Sequence, residues 1–134
     1  MRVVFDTNIF ISGLRFGGKP EALLQMAART AFVLVVSEEI LLELEEVLLR
    51  KFRWSRRKIA LTLESIRTIS ETVRPDITLT DCEDQDDNRI LEAAVAGRAT
   101  IIVSGDHHLL KMRMFRGIEI MRIGDFLNRI ELSD

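Results

Sequence analysis

The sequence predicts one α/β domain spanning residues 1–134, with a mostly parallel sheet covered by helices. Three observations predict it. Short β-branched apolar runs, Val3-Val4-Phe5, Phe32 to Val36, Ile101-Ile102-Val103 and Ile118 to Met121, read as buried strands. Segments of helical periodicity alternate with them, the order that gives parallel sheets with helical crossovers. Asp6 and Asp106 each follow one of these runs at short distance, and open α/β sheets bind ligands beyond the carboxyl ends of their strands.

The elements follow in order. Residues 2–5 form a strand, Asp6-Thr7-Asn8 a turn or helix cap, and Ile9 to Leu14 a short apolar segment. Gly17-Gly18-Lys19-Pro20 breaks the chain. Pro20 suits the first turn of a helix that carries Ala22, Leu23, Met26 and Ala27 to about Thr30. After the Phe32 to Val36 strand, Ser37 is a good N-cap, and Glu38 and Glu39 complement the dipole of a helix running to about Arg50. A further helix starts at Ser55, carries Ile59, Leu63, Ile66 and Ile69 on one face, and stops before Arg74-Pro75. Ile77 to Leu79 is expected as a short strand. The Asp84-Gln85-Asp86-Asp87-Asn88 segment opens a helix that ends at Gly97. Thr100 to Val103 is a strand, Asp106 to about Lys111 a short helix, and Asp125 to Ile130 a last helix after the Ile118 to Met121 strand.

With 134 residues, 47% of them hydrophobic, the chain is large enough to bury about two-thirds of its unfolded surface in one core. Its longest apolar stretches fall far below the roughly 18 residues of a membrane span, and Met1-Arg2-Val3 opens directly into a strand, so a cytoplasmic protein without a membrane partner is expected. The single cysteine, Cys82, forms no intrachain disulfide. The formal net charge of −2 lacks the basic footprint of a nucleic-acid binder, but the charge is polarised. Acids crowd from Asp76 to Glu92, while Arg50, Lys51, Arg53, Arg56, Arg57 and Lys58 surround Trp54.

Four acids, Asp6, Glu43, Asp87 and Asp106, are placed to converge. Glu43 sits about 40° from Val47 and 60° from Ile40 on its helix, at the edge of the apolar arc. Converging carboxylates suit Mg2+ or Mn2+, which prefer oxygen ligands and, as one ion or two, can activate water and polarise a phosphoryl oxygen. Taken singly, each acid has another reading as a turn residue, a helix cap or a solvated position. His107 and His108 are adjacent and cannot flank a scissile phosphate as opposed acid and base.

Asp6-Thr7-Asn8 after the first strand, Ser37 followed by Glu43-Leu44, Asp87-Asn88-Arg89-Ile90-Leu91-Glu92-Ala93-Ala94, and Ser104-Gly105-Asp106 before Leu109-Leu110 resemble the successive motifs of the PIN domain. The resemblance runs from Val3 to about Phe126 and is closest to small prokaryotic toxin components of toxin–antitoxin systems, the VapC-like proteins. It implies a Rossmann-like three-layer α/β/α sandwich and a metal-dependent endoribonuclease. It also implies Asp6, Glu43, Asp87 and Asp106 as catalytic metal ligands for Mg2+ or Mn2+, with Asn8, Ser104 and Asp86 as polar supports. An RNA substrate, a cognate antitoxin protein and a homodimer are the partners it implies. Two departures stand out. Many relatives carry a further acid two or three residues beyond the position of Asp106, where this chain has His108 and Leu109, and Asp86 competes with Asp87 as the ligand.

Arg53, Trp54, Arg56, Arg57 and Lys58 are candidate nucleic-acid contacts: the cations would guide the phosphate backbone and Trp54 would stack on an unpaired base. The same cations also suit the C-terminal end of a helix dipole. The rival to an enzyme is a catalytically silent PIN-like module acting through protein or nucleic-acid binding. A phospho-receiver domain is disfavoured, because no Asp-x-Asp follows the first strand and no lysine follows the last ones.

Overall fold

The computed structural model describes residues 1–133. Its elements are β1 (Arg2–Phe5), α1 (Thr7–Phe16), α2 (Gly18–Ala28), β2 (Val33–Ser37), α3 (Glu38–Arg50), α4 (Arg56–Ile69), β3 (Ser70–Val73), α5 (Gln85–Ala96), β4 (Ile101–Val103), α6 (His107–Met112), β5 (Met114–Phe115), β6 (Ile118–Met121) and α7 (Ile123–Ser133). The strands form one sheet in the order β3-β2-β1-β4-β6-β5, parallel throughout except where β5 pairs antiparallel with β6. This is the mostly parallel Rossmann-like α/β sandwich expected from the alternation of elements.

Sheet order explains where a site can form. The chain leaves β1 toward β2 and β3, then returns to the other side of β1 for β4 and β6. The reversal opens a crevice beyond the carboxyl ends of β1 and β4, the usual ligand position in such sheets. Val3, Val4 and Phe5 of β1 and Ile102 and Val103 of β4 are fully buried, so the strand pair flanking the crevice is anchored from both faces. Phe5 packs against Phe10 and Phe32, and Phe32 against Phe126, at centroid separations of 5.6, 5.8 and 5.2 Å, so the aromatic core ties β1 to α1, β2 and α7.

The structure corrects three local expectations. Of the turn or helix cap expected at Asp6-Thr7-Asn8, the cap is found, and the short apolar segment expected over Ile9 to Leu14 is part of a full helix, α1, whose Ile9, Phe10 and Ile11 are buried. The edge strand is Ser70–Val73, not Ile77 to Leu79. Leu79 is buried, but its N–H donates to Glu92 Oε2 at 2.8 Å on α5, which takes the backbone group that a strand would have paired. β5 was also unmarked. It exists because Arg116 and Gly117, at φ 50° and 81°, close a two-residue hairpin with β6, the turn type that needs positive φ at both positions. Among the described residues no helix is long and apolar enough to cross a membrane.

Candidate active site

Each acid reaches the crevice by a local rule. Asp6 is the N-cap of α1: its Oδ1 accepts from the N–H of Asn8 at 2.6 Å. Its Oδ2 accepts from the Ser104 hydroxyl at 2.5 Å, so both oxygens of this buried carboxylate are fixed. Ser104 Oγ also accepts from the N–H of Asp106 at 3.0 Å, which links the loops after β1 and β4 through one buried hydroxyl. Asp106 in turn caps α6 through the N–H of His108 at 2.7 Å. Ser37 caps α3, and six residues on Glu43 turns inward, where Oε2 accepts from the buried Thr7 hydroxyl at 2.9 Å.

α5 enters from the opposite wall. Its N-cap is Asp84, whose side chain accepts from the N–H of Asp86, and Asp86 and Asp87 occupy the first turn. Asn88 secures the preceding loop: its Oδ1 accepts from the N–H of Cys82 at 2.8 Å and its amide donates to the Cys82 carbonyl at 2.9 Å. Asp87 is buried and Asp86 exposed, so at this pair the deeper carboxylate belongs to Asp87.

Asp6, Thr7, Asn8, Glu43, Asp84, Asp86, Asp87, Ile90 and Asp106 line a cleft of about 70 Å³. All four acids singled out in the sequence thus share one cavity, with Asn8 and Asp86 on its wall and Ser104 behind it. Thr7 and Asp84 were not expected. Thr7 sits inside the Asp-Thr-Asn motif, and Asp84 is the polar residue just before a helical pattern, the usual N-cap signal.

The charges in the cleft oppose one another. Burial pushes the Asp87 carboxyl up to about 7, reinforced by the Asp106, Asp84 and Asp6 carboxylates. Burial likewise pushes Glu43 up to about 7, with the Thr7 hydrogen bond acting against it and Asp86, Asp6 and Asp84 adding repulsion. Asp6 is raised by burial, against the Ser104 and Asn8 hydrogen bonds, and Asp86 is raised by burial and by Asp84. The N-termini of α1, α5 and α6 offset part of this repulsion. Asp87 Oδ2 is buried without a hydrogen-bond partner. A buried, unsatisfied carboxylate oxygen among like charges is the chemical signature of a cation ligand, and the donors present, all oxygen, suit a hard divalent ion. Among the described residues no three such side chains already stand as a closed ligand set, and Asp6 and Glu43 hold protein donors. The residues fit the ion in donor type and share one cleft, and its charge would offset their mutual repulsion.

The basic cluster lies elsewhere. None of Arg53, Trp54, Arg56, Arg57 and Lys58 lines the acidic cleft; Arg53 and Trp54 lie in the connection between α3 and α4, and Arg56, Arg57 and Lys58 form the first turn of α4. Lys58 Nζ lies 3.9 Å from the centre of the Trp54 ring, so one face of the indole is already covered. A groove of about 480 Å³ along α3, from Asp86 and Glu43 to Arg50 and Lys51, connects the two regions.

The model of the PIN domain family matches residues 2–108. An uncharacterized protein of Methanocaldococcus jannaschii is 31% identical over 118 residues, covering 84% of this chain and 76% of that protein. The crystal structure of VapBC2 from Rickettsia felis, bound to a DNA fragment from their promoter, superposes with a TM-score of 0.63 at 14% identity, covering 90% of this chain and 97% of that one. The last likeness bears on the fold alone.

Proposed function

The chain belongs to the PIN domain family, and from that premise we propose that it is a divalent-metal-dependent endoribonuclease and the toxin of a toxin–antitoxin pair. Asp87 carries this reading: a buried carboxylate with an unpartnered oxygen, raised to about 7 in a cleft shared with Asp6, Glu43 and Asp106. Those four residues would hold Mg2+ or Mn2+. When bound, the ion supplies Lewis acidity toward a phosphoryl oxygen and lowers the pKa of a coordinated water.

The chain's own residues do the rest. Ser104 holds Asp6 in one orientation, and Thr7 does the same for Glu43. Asn8, exposed on the cleft wall, offers amide donors to a phosphate oxygen. No histidine base is required, because ionised carboxylates in the cleft accept the proton of the attacking water. In-line attack on phosphorus, with departure of the 3′ oxygen, leaves a 5′-phosphate and a 3′-hydroxyl. The family resemblance, together with a fold shared with a chain of the VapBC2 assembly, favours an antitoxin partner.

The test incubates purified protein with single-stranded RNA and Mg2+ or Mn2+, alongside EDTA and the Asp6→Asn and Asp87→Asn variants. Cleavage is expected only in the wild type with metal. Cleavage that survives EDTA or either substitution overturns the site, and RNA binding without cleavage returns the silent-module reading. Growth arrest on expression, relieved by a co-expressed small DNA-binding protein, tests the toxin role.

A further inference from the structure

The C-terminal ends of α1 and α3 meet at an arginine held against two phenylalanines. The Arg15 guanidinium carbon lies 3.9 Å from the centre of the Phe52 ring and 4.9 Å from that of Phe16. Phe52 is half-buried against the core, whereas Phe16 is 73% exposed, the most exposed large hydrophobic side chain among the described residues. Taken alone such a ring calls for no explanation, but its surroundings are cationic. Lys51 Nζ is 5.6 Å from the Phe52 ring centre, and Arg53 follows Phe52 in the chain. None of Arg15, Lys51 and Arg53 is in an ion pair among the described residues. Unpaired cations beside an open aromatic face suit single-stranded nucleic acid, whose bases stack on rings and whose phosphates pair with cations. The core of a protein interface is instead depleted of charge. We propose that Phe16 and Arg15 form a nucleotide subsite, in which the Phe16 ring stacks on an unpaired base of single-stranded RNA and the Arg15 guanidinium holds its phosphate.

The patch is aligned with the acidic cleft. Asn8 lines the cleft in the first turn of α1, and Arg15 follows seven residues later, about 20° from the same bearing and about 10 Å along the helix axis. With half-buried Ser12 between them, they form one outward stripe of α1. About three stacked nucleotides, at roughly 3.4 Å per step, cover that distance, so one strand reaches both places. Stacking on Phe52 occupies a face of the guanidinium and leaves its N–H edge free for two phosphate oxygens. Glu21, bonded to the Gln25 amide at 3.3 Å, reaches the Gly17 backbone beside Phe16, which keeps phosphate off that ring and leaves it to the uncharged base. Neither Arg15 nor Phe16 lines the cleft, so both act in binding rather than in the reaction. The subsite rests on the reading of RNA as the substrate of the cleft.

The test is binding of oligouridylate and oligoadenylate to the full chain in EDTA, against a ribose-phosphate strand of the same length without bases, across a salt series. Phe16→Ala should weaken binding of the two base-bearing strands roughly five- to a hundredfold, with the abasic strand and the salt slope unaffected. Phe16→Trp should keep the affinity. Arg15→Ala should weaken all three strands and lower the slope by about 0.7. Both side chains are exposed, so their replacement leaves the core intact. A strand carrying 5-iodouridine should crosslink to Phe16. Unchanged affinity in Phe16→Ala, or an equal loss on the abasic strand, overturns the subsite, and metal-dependent cleavage would then still stand. If Phe16→Ala keeps its RNA affinity but separates a dimer in sedimentation, the ring belongs to a protein contact and the subsite is likewise overturned. Conversely, binding that depends on Phe16 without cleavage in any metal would overturn the nuclease and leave the subsite.

Discussion

The acidic cleft and the basic connection between α3 and α4 are the two strongly charged regions of this molecule, and they are built in opposite ways. In the cleft, buried or half-buried carboxylates are held by caps and hydroxyls: Asp6 by Ser104 and Asn8, Glu43 by Thr7, and Asp106 by the His108 N–H. At the connection and in the first turn of α4, Arg53, Arg56, Arg57 and Lys58 are exposed, and at the end of α3 Arg50 pairs with Glu46 at 3.5 Å in a solvated ion pair. Charge in the cleft is costly and fixed, whereas charge at the connection is cheap and mobile. Under the proposed function, chemistry belongs to the first and guidance to the second.

Asp87→Asn offers the sharpest break between the two. It removes a charge that its neighbours oppose, so the metal-free variant should melt at a higher temperature than wild type while cleavage falls by at least about a hundredfold. Loss of activity with gain of stability marks a site residue. A fall in both by thermal melting and RNA cleavage would make Asp87 a structural acid.

The second effect is a pH dependence. Folded Glu43 and Asp87 titrate at about 7, whereas unfolded carboxyls titrate near 4. Between these values the native state binds more protons, so stability falls as pH rises from about 4 to 7, and the loss is complete above that range. The metal-free chain should therefore melt at a higher temperature at pH 5 than at pH 8, and a divalent cation should restore the loss at pH 8. Glu43→Gln and Asp87→Asn should flatten the profile. The basic connection predicts no such slope.

The same contrast explains what was legible in the sequence. Asp6, Asp87 and Asp106 were readable because each stands at a strand end or helix start, where position in sequence fixes position in space. Glu43 was readable from helical phase. Thr7 was not, because its hydroxyl acquires a role only when α3 brings Glu43 to it across 36 residues. The edge strand β3 was missed for a related reason. Its Ser70-Glu71-Thr72-Val73 sequence continues directly from the periodic face of α4 and has no buried residue, so only pairing with β2 defines it. Ile77 to Leu79 looked like a strand because Leu79 is apolar and buried, but Glu92 captures its N–H.

A third effect probes the connection. Replacing Arg56 and Arg57 together with alanine should weaken RNA binding a few-fold and lower the salt slope by about 0.7 for each lost phosphate contact, with the cleavage rate at saturation unchanged. Binding measured across a salt series checks this. An unchanged slope would make these cations ordinary helix-end charges, and a lower saturating rate would move them into the cleft's chemistry.

The smallest effect concerns Arg53, a non-glycine residue held at φ 55° where the chain turns from α3 into α4. Trp54 follows it, with its N–H bonded to the Leu48 carbonyl at 3.0 Å, so the turn fixes the Trp54 backbone against the end of α3. Left-handed backbone costs an L-residue about 1–2 kcal/mol, and glycine avoids that cost while losing more entropy on folding. Arg53→Gly should therefore raise stability by less than about 1 kcal/mol in denaturant unfolding and weaken RNA binding. A stability gain without loss of binding would show that arginine serves no contact there. A loss of both would mean that its stem packs at the turn and outweighs the strain.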